Sequence, residues 1–161
     1  MSTHPPSDVD KRAYRSLVML SHLLQATLDR STRADAGLPH GLYTVLALLY
    51  DAPEHRIRLK RLARDLRFSP SRLSHAIKRL ESLGLLQRVD SEVRGKSWDA
   101  VLTPAGVATV RHAAPRQMRT VRDPLLAVLS SDEAAQLAVI AEKLNARLES
   151  LEDSGGVSTR P

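Results

Sequence analysis

Apolar residues recur at helical spacing along most of the chain, and one short region alternates instead. Leu17, Leu20, Leu24 and Leu28, joined by Val18 and Leu23, predict a long first helix over about residues 8–34, closed by Ala36-Gly37. Leu38-Pro39 restarts the chain. HGLYTVLALLY at 40–50 reads as a short, very apolar helix that stops at Asp51-Ala52-Pro53. RIRL at 56–59 is a scrap of alternating strand, and Leu59, Leu62, Ala63 and Leu66 predict a short helix after it. LLQRV and SWDAVLT then alternate as two strands on either side of DSEVRGK, a hairpin whose tip needs Gly95. Thr103-Pro104 opens a helical region to about Leu129, bent near Pro115 and Pro124. Ser130-Ser131-Asp132-Glu133 caps a last helix that runs to about Leu151. Residues 1–7 and 154–161 are polar and rich in Pro and Gly, and read as disordered termini. The expectation is therefore one domain over 8–153, mainly α (α+β), with a small β-hairpin.

The most sharply punctuated element is the helix in FSPSRLSHAIKRLESLGLL, residues 68–86. Ser69 is a preferred N-cap, and Pro70 takes the first helical position, where its missing N–H costs nothing. Leu73, Ala76, Ile77, Leu80 and Leu83 form one apolar stripe. At about 100° per residue, Ser71, His75, Lys78 and Ser82 point the opposite way, with Arg72, Ser74 and Arg79 beside them. The stripe must dock on something, and the nearest apolar partner is the helix at Leu59–Leu66. Two short helices joined by RFSP, the second basic on its outer face, form a helix-turn-helix pattern. A helix of this kind fits the major groove of DNA. Arg and Lys there meet guanine edges or phosphates, and Ser side chains and N-terminal N–H groups meet phosphate oxygens. The plainer alternative is a solvated face on an ordinary packed helix. The hairpin that follows, with Arg94 and Lys96 at its tip, shifts the balance, because a cationic β-tip beside a basic helix reaches the backbone and minor groove.

Composition agrees and removes other chemistries. Of 161 residues, Lys and Arg number 24 against 18 for Asp and Glu, a formal net charge of +6 that favours a polyanionic partner. Aromatic residues are 3%, so the core rests on Leu, Val, Ile and Ala, as packed helices allow. With no Cys, disulfides, thiolate metal sites and thiol redox sensing are excluded. The His residues show no metal-ligand spacing, and Ser74 and His75, adjacent on a helix, cannot face each other as nucleophile and base. No glycine-rich phosphate loop appears, so neither enzyme activity nor a metal or cofactor is expected. MSTHPPSDVDKR has no apolar core of a secretory signal, and LYTVLALLY is too short to span a bilayer, so the chain reads as cytoplasmic.

The run from LPHGLYTVLALLYDAPEHRIRL through SRLSHAIKRLESLGLL and SEVRGK to the closing LTPAG resembles the winged helix-turn-helix core of the MarR family of bacterial transcriptional regulators. The similarity covers about residues 10–150. It implies a winged helix-turn-helix over about 38–103, flanked by dimerisation helices at about 8–36 and 104–151. It also implies a homodimer that binds a pseudo-palindromic operator, as a repressor released by a small aromatic ligand. Carried over residue by residue, Ser69, Ser71, Arg72, Ser74, His75 and Arg79 fall on recognition-helix positions, and Arg94 and Lys96 on the wing. The implied ligand pocket, between the first, second and fifth helices, places His22, Gln25, Asp29, Tyr43 and Leu46 among its lining; His22 and Gln25 read equally as interface or surface residues. Two positions depart from the family. Val93 precedes Arg94 where Asp is common, leaving Asp90 or Glu92 to brace the tip, and His75 stands where Arg is frequent. The alternatives are a winged-helix module that binds protein without DNA, and a helical protein that binds or transforms a small molecule.

Overall fold

The computed structural model describes Pro5, residues 7–91 and residues 97–155, with side chains as far as Leu151 at the C-terminal end. Two compact units divide the chain, the first ending at Val121 and the second beginning at Arg122. The first contains α1 (Asp8–Ala36), α2 (His40–Tyr50), a 3-10 turn (Pro53–His55), β1 (Arg56–Arg58), α3 (Leu59–Asp65), α4 (Pro70–Ser82), β2 (Leu86–Asp90), β3 (Trp98–Leu102) and α5 (Pro104–Gln117). A π-helical turn spans Met118–Arg122, and the second unit holds α6 (Asp123–Leu126) and α7 (Ser131–Gly155). The protein is mostly helical with a small antiparallel sheet, as the sequence patterns predict.

Local chemistry sets the element ends. Ser7, in a stretch read from sequence as loose, caps α1: its Oγ accepts the Asp10 N–H at 3.2 Å, and the Asp10 carboxylate accepts the Ser7 N–H at 2.9 Å. Gly37 closes α1 in the left-handed region, at φ 67°. Pro115 cannot donate to the ladder of α5, and the helical bonding loosens into the π-helical turn three residues later. Pro124 sits in the first turn of α6, where it is tolerated.

The first unit is built round α2. Tyr43, Val45, Leu46 and Leu49 from this helix are all buried. They meet Leu62 of α3, Leu73, Ile77 and Leu80 of α4, Leu86 and Leu102 of the sheet, and Val110 and Ala113 of α5. The very apolar composition of α2 thus reflects burial on all sides. The strands run in the order β1-β3-β2, all antiparallel. Ile57 pairs with Ala100 and Leu86 with Leu102, so each pair directs apolar side chains onto the helices. The scrap of strand at 56–58 is therefore a third member of the wing sheet, held by β3 from far along the chain.

Two hydrogen bonds tie the turn after α4 to the start of α5. The Leu85 carbonyl accepts the Thr103 N–H at 3.1 Å, and Thr103 Oγ1 donates to the Gly84 carbonyl at 2.6 Å. Thr103 also caps α5 by accepting the Gly106 N–H at 3.1 Å. Gly106 lies against this junction so closely that a Cβ there would stand 2.0 Å from the Leu85 carbonyl oxygen.

Two helices, each in its own unit, carry exposed apolar residues. From Asp8 to Leu23 every residue of α1 is exposed, including Tyr14, Leu17, Leu20 and Leu23. On α7, Leu137, Ile140, Leu144, Leu148 and Leu151 recur at helical spacing and are likewise exposed.

Candidate nucleic-acid interface

The centre of the site is α4. Ser69 Oγ accepts the Arg72 N–H at 3.2 Å and Pro70 begins the helix, so its start is set as the sequence pattern implies. Loss of such a cap costs about 1 kcal/mol. Leu73, Ala76, Ile77 and Leu80 are buried against the core, which fixes the rotation of the helix about its axis. Leu83, grouped with that stripe by spacing, is 41% exposed; the helix ends at Ser82, and the chain turns through Gly84 at φ 68° toward β2.

With the inner face anchored, Ser71, Arg72, Ser74, His75, Lys78 and Arg79 are all exposed on the outer one. The nearest acid, Glu81, is half-buried and turned to β2, where it accepts the Arg88 N–H at 3.2 Å and Arg88 Nε at 3.0 Å. Its charge is thereby committed to Arg88, whose guanidinium also lies 6.0 Å over the exposed Trp98 ring. The Arg72 guanidinium stacks 4.0 Å over Phe68, which restrains it near the start of the helix. Gly41 of α2 faces the same guanidinium, since a Cβ there would approach it to 3.6 Å.

Grooves flank α4 on both sides. One, of about 360 Å³, is lined by Gly41, Phe68, Arg72 and His75 among others. The other, of about 340 Å³, lies between α4, α3 and β2, and is lined by Leu59, Ala63, Leu73 and Ile77 together with Lys60 and Arg88. Arg94 and Lys96, with Glu92 and Val93, lie outside the described residues. The root of the wing is described: Arg56 Nε donates to Asp99 Oδ2 at 2.8 Å, and Arg56 Nη2 donates to the Asp90 carbonyl at 3.3 Å. Arg58 Nη2 donates to Ser91 Oγ at 3.2 Å. Asp90 thus contributes through its backbone carbonyl.

The residues implied for a ligand pocket divide in two. Tyr43 and Leu46 are buried in the core, whereas His22 and Gln25 are exposed on α1. Asp29 joins α1 to α2. It accepts Arg33 Nε at 2.6 Å and the His40 backbone N–H at 2.9 Å, and these two donors hold its carboxyl below the usual carboxylate range. Burial pushes the His40 imidazole below its ordinary value, and its Nδ1 has no hydrogen-bond partner among the described residues. Sequence spacing alone did not single out Arg58, Lys60, Arg61 and Arg64, which line a separate groove on β1 and α3. The available signal was RIRLKRLARDLR, where Asp65 is the one acid among six cations.

A model of the MarR family matches residues 38–93, a span that takes in α2, β1, α3, α4 and β2. Among solved structures, Sco3205 from Streptomyces coelicolor, a MarR family transcriptional regulator in complex with DNA, is 31% identical, with a TM-score of 0.85 over 89% of this chain and 94% of that one. The chain belongs to the MarR family of transcriptional regulators. A second member, AbsC from the same organism, is 28% identical with a TM-score of 0.86 over 92% of this MarR-family chain and 99% of its own. The Escherichia coli HTH-type transcriptional regulator PrsX is 26% identical over 113 residues, which is 70% of this chain and 68% of that protein. Among the described residues of this MarR-family protein, no single helix is long and apolar enough to cross a membrane.

Proposed function

We propose that this MarR-family protein is a cytoplasmic, non-enzymatic, sequence-specific DNA-binding regulator that acts as a homodimer on a pseudo-palindromic operator. The observation that carries the reading is the outer face of α4. Its cations and hydroxyls, Ser71, Arg72, Ser74, His75, Lys78 and Arg79, are exposed together without an acid among them, on a helix whose inner face is locked in the core. Ser69 with the first-turn N–H groups, and Arg94 and Lys96 on the wing, supply phosphate contacts. DNA bound to the related Sco3205 supports the same partner here. The exposed apolar faces of α1 and α7 support dimerisation through these helices, with the two α4 helices about 34 Å apart, one turn of DNA.

Selection from a random duplex library with the purified protein tests this reading. The expected product is an inverted repeat, and Arg79→Ala or His75→Ala should relax preference at particular bases by about 1–3 kcal/mol. No enriched sequence, with no salt-sensitive binding, would leave the protein-interaction module as the function. Repression, and its release by a small aromatic ligand, are part of the proposal. They are supported by the half-buried His40 at the start of α2, whose Nδ1 has no hydrogen-bond partner among the described residues. Aromatic acids are expected to raise Tm and weaken operator binding together, by a coupling of about 1–3 kcal/mol. A screen in which none does either removes the ligand from the mechanism.

A further inference from the structure

Phe68 is the one phenylalanine in 161 residues, and it stands in the turn that joins α3 to α4. Its backbone is fixed on both sides. The Phe68 N–H donates to the Ala63 carbonyl at 3.0 Å, and the next residue, Ser69, caps α4. The ring is half-buried against the core and carries the Arg72 guanidinium 4.0 Å over its face. Among the described residues the Arg72 side chain has no ion pair or hydrogen bond, so the ring is what holds it. Gly41 of α2 completes the seat from across the groove. A Cβ there would stand 3.6 Å from Arg72 Nη2 and 4.0 Å from Phe68 Cζ. Gly41 lies in a helix and outside the left-handed region, so its backbone does not demand glycine, and alanine is the better helix former. What glycine provides at this position is room beside the stacked pair.

An arginine side chain is long and loses much rotamer freedom when it binds, whereas one already held in place loses less. Stacking takes one face of the planar guanidinium and leaves its in-plane N–H donors free to pair with O6 and N7 of a guanine. Arg72 lies in the first turn of α4, and base contacts are made from the first residues of a recognition helix. Tying its side chain to Phe68 therefore fixes which base pair those donors reach. We infer that Phe68 and Gly41 are positioning residues for Arg72, and that they determine specificity at one base pair of each half-site without themselves reading a base. The inference rests on the DNA-binding reading above and deepens it. Part of the preference of α4 is set by α2 and by the turn that precedes α4.

The test uses the full-length protein, its selected operator and duplexes substituted one base pair at a time, compared by competition titration at fixed salt. Arg72→Ala locates the position that Arg72 reads, where discrimination should fall by about five-fold or more. Phe68→Leu should lower discrimination at that same position by about two- to five-fold, the size of an exposed cation–π contact, and leave the other positions unchanged. Phe68→Tyr, which keeps the ring, should restore it. In the Arg72→Ala background Phe68→Leu should add nothing, an outcome that a purely structural role would not produce. Gly41→Val approaches the seat from the side of α2 and decides the matter if circular dichroism shows that Phe68→Leu does not fold. It should lower discrimination at the Arg72 position alone. Either variant, folded and matching the wild type at that position, overturns the inference. So does a Phe68→Leu protein that weakens all duplexes alike or acts equally with and without Arg72, and so does an Arg72→Ala protein with unchanged preference. If the wild type enriches no sequence, the broader reading fails. If the wild type selects an operator and Arg72→Ala alters its preference, while Phe68→Leu and Gly41→Val do not, only the present inference fails.

Discussion

Replacing Gly106 with alanine is expected to destabilise the first unit by about 3 kcal/mol or more, near the top of the range for an overpacked site. The added methyl would stand 2.0 Å from the Leu85 carbonyl oxygen, 3.0 Å from its carbon and 3.1 Å from Leu102 Cδ2. The first two are backbone atoms, and they cannot swing aside as a flexible side chain would. The carbonyl is held by the Thr103 N–H, and Thr103 is in turn bonded to the Gly84 carbonyl. Relief therefore requires α5 to lift from the junction of α4 and β2. That movement would disturb the seat of α4, so operator affinity should fall together with stability. Denaturant unfolding followed by circular dichroism measures the effect. A loss under about 1 kcal/mol would mean that α5 is free to shift, and that the junction is not a rigid joint.

The second large effect is expected from Leu20→Glu combined with Leu23→Glu, both on the exposed part of α1. In the proposed dimer these leucines are buried, and two acids on each protomer would oppose association. Light scattering should report a monomer. Operator affinity should fall by about 10²- to 10⁴-fold, because binding the second half-site is no longer an intramolecular step. Folding of the first unit should survive, since Leu20 and Leu23 are 44% and 60% exposed within one chain. A dimer that persists with full affinity would remove this face of α1 from the interface. The physical case for the interface is that α1 is exposed from Asp8 to Leu23 among the described residues, and isolated helices of about this length are marginal in water.

Much of the fold was legible because its signals are local. The spacing over 40–50 predicts α2 with the bounds observed, and Ser69-Pro70 places the start of α4 to the residue. The outer face of α4 was legible for the same reason: once Leu73, Ile77 and Leu80 are known to point inward, helical geometry places Ser71, Arg72, His75 and Arg79 outside. The end of that stripe was less legible. Leu83 keeps the spacing of the helix, but the chain has already left it at Ser82. The cations of β1 and α3 were visible as letters, yet nothing in their spacing says that they share a groove with one another and a border with α4.

By itself, then, the sequence determined most of the helices, the caps of α4, α5 and α7, the apolar and polar sides of α4, and the basic character of the surface next to it. Each of these depends on interactions within a few residues, where periodicity and capping act. The tertiary structure alone decided that Arg56–Arg58 pairs with β3, and that Arg56 braces the wing root through Asp99 and the Asp90 carbonyl. It also decided that Gly106 lies against Leu85, and that Lys60 borders both grooves. These contacts join segments far apart in the chain, and their geometry arises only when the apolar faces of α2, α4 and α5 are buried together.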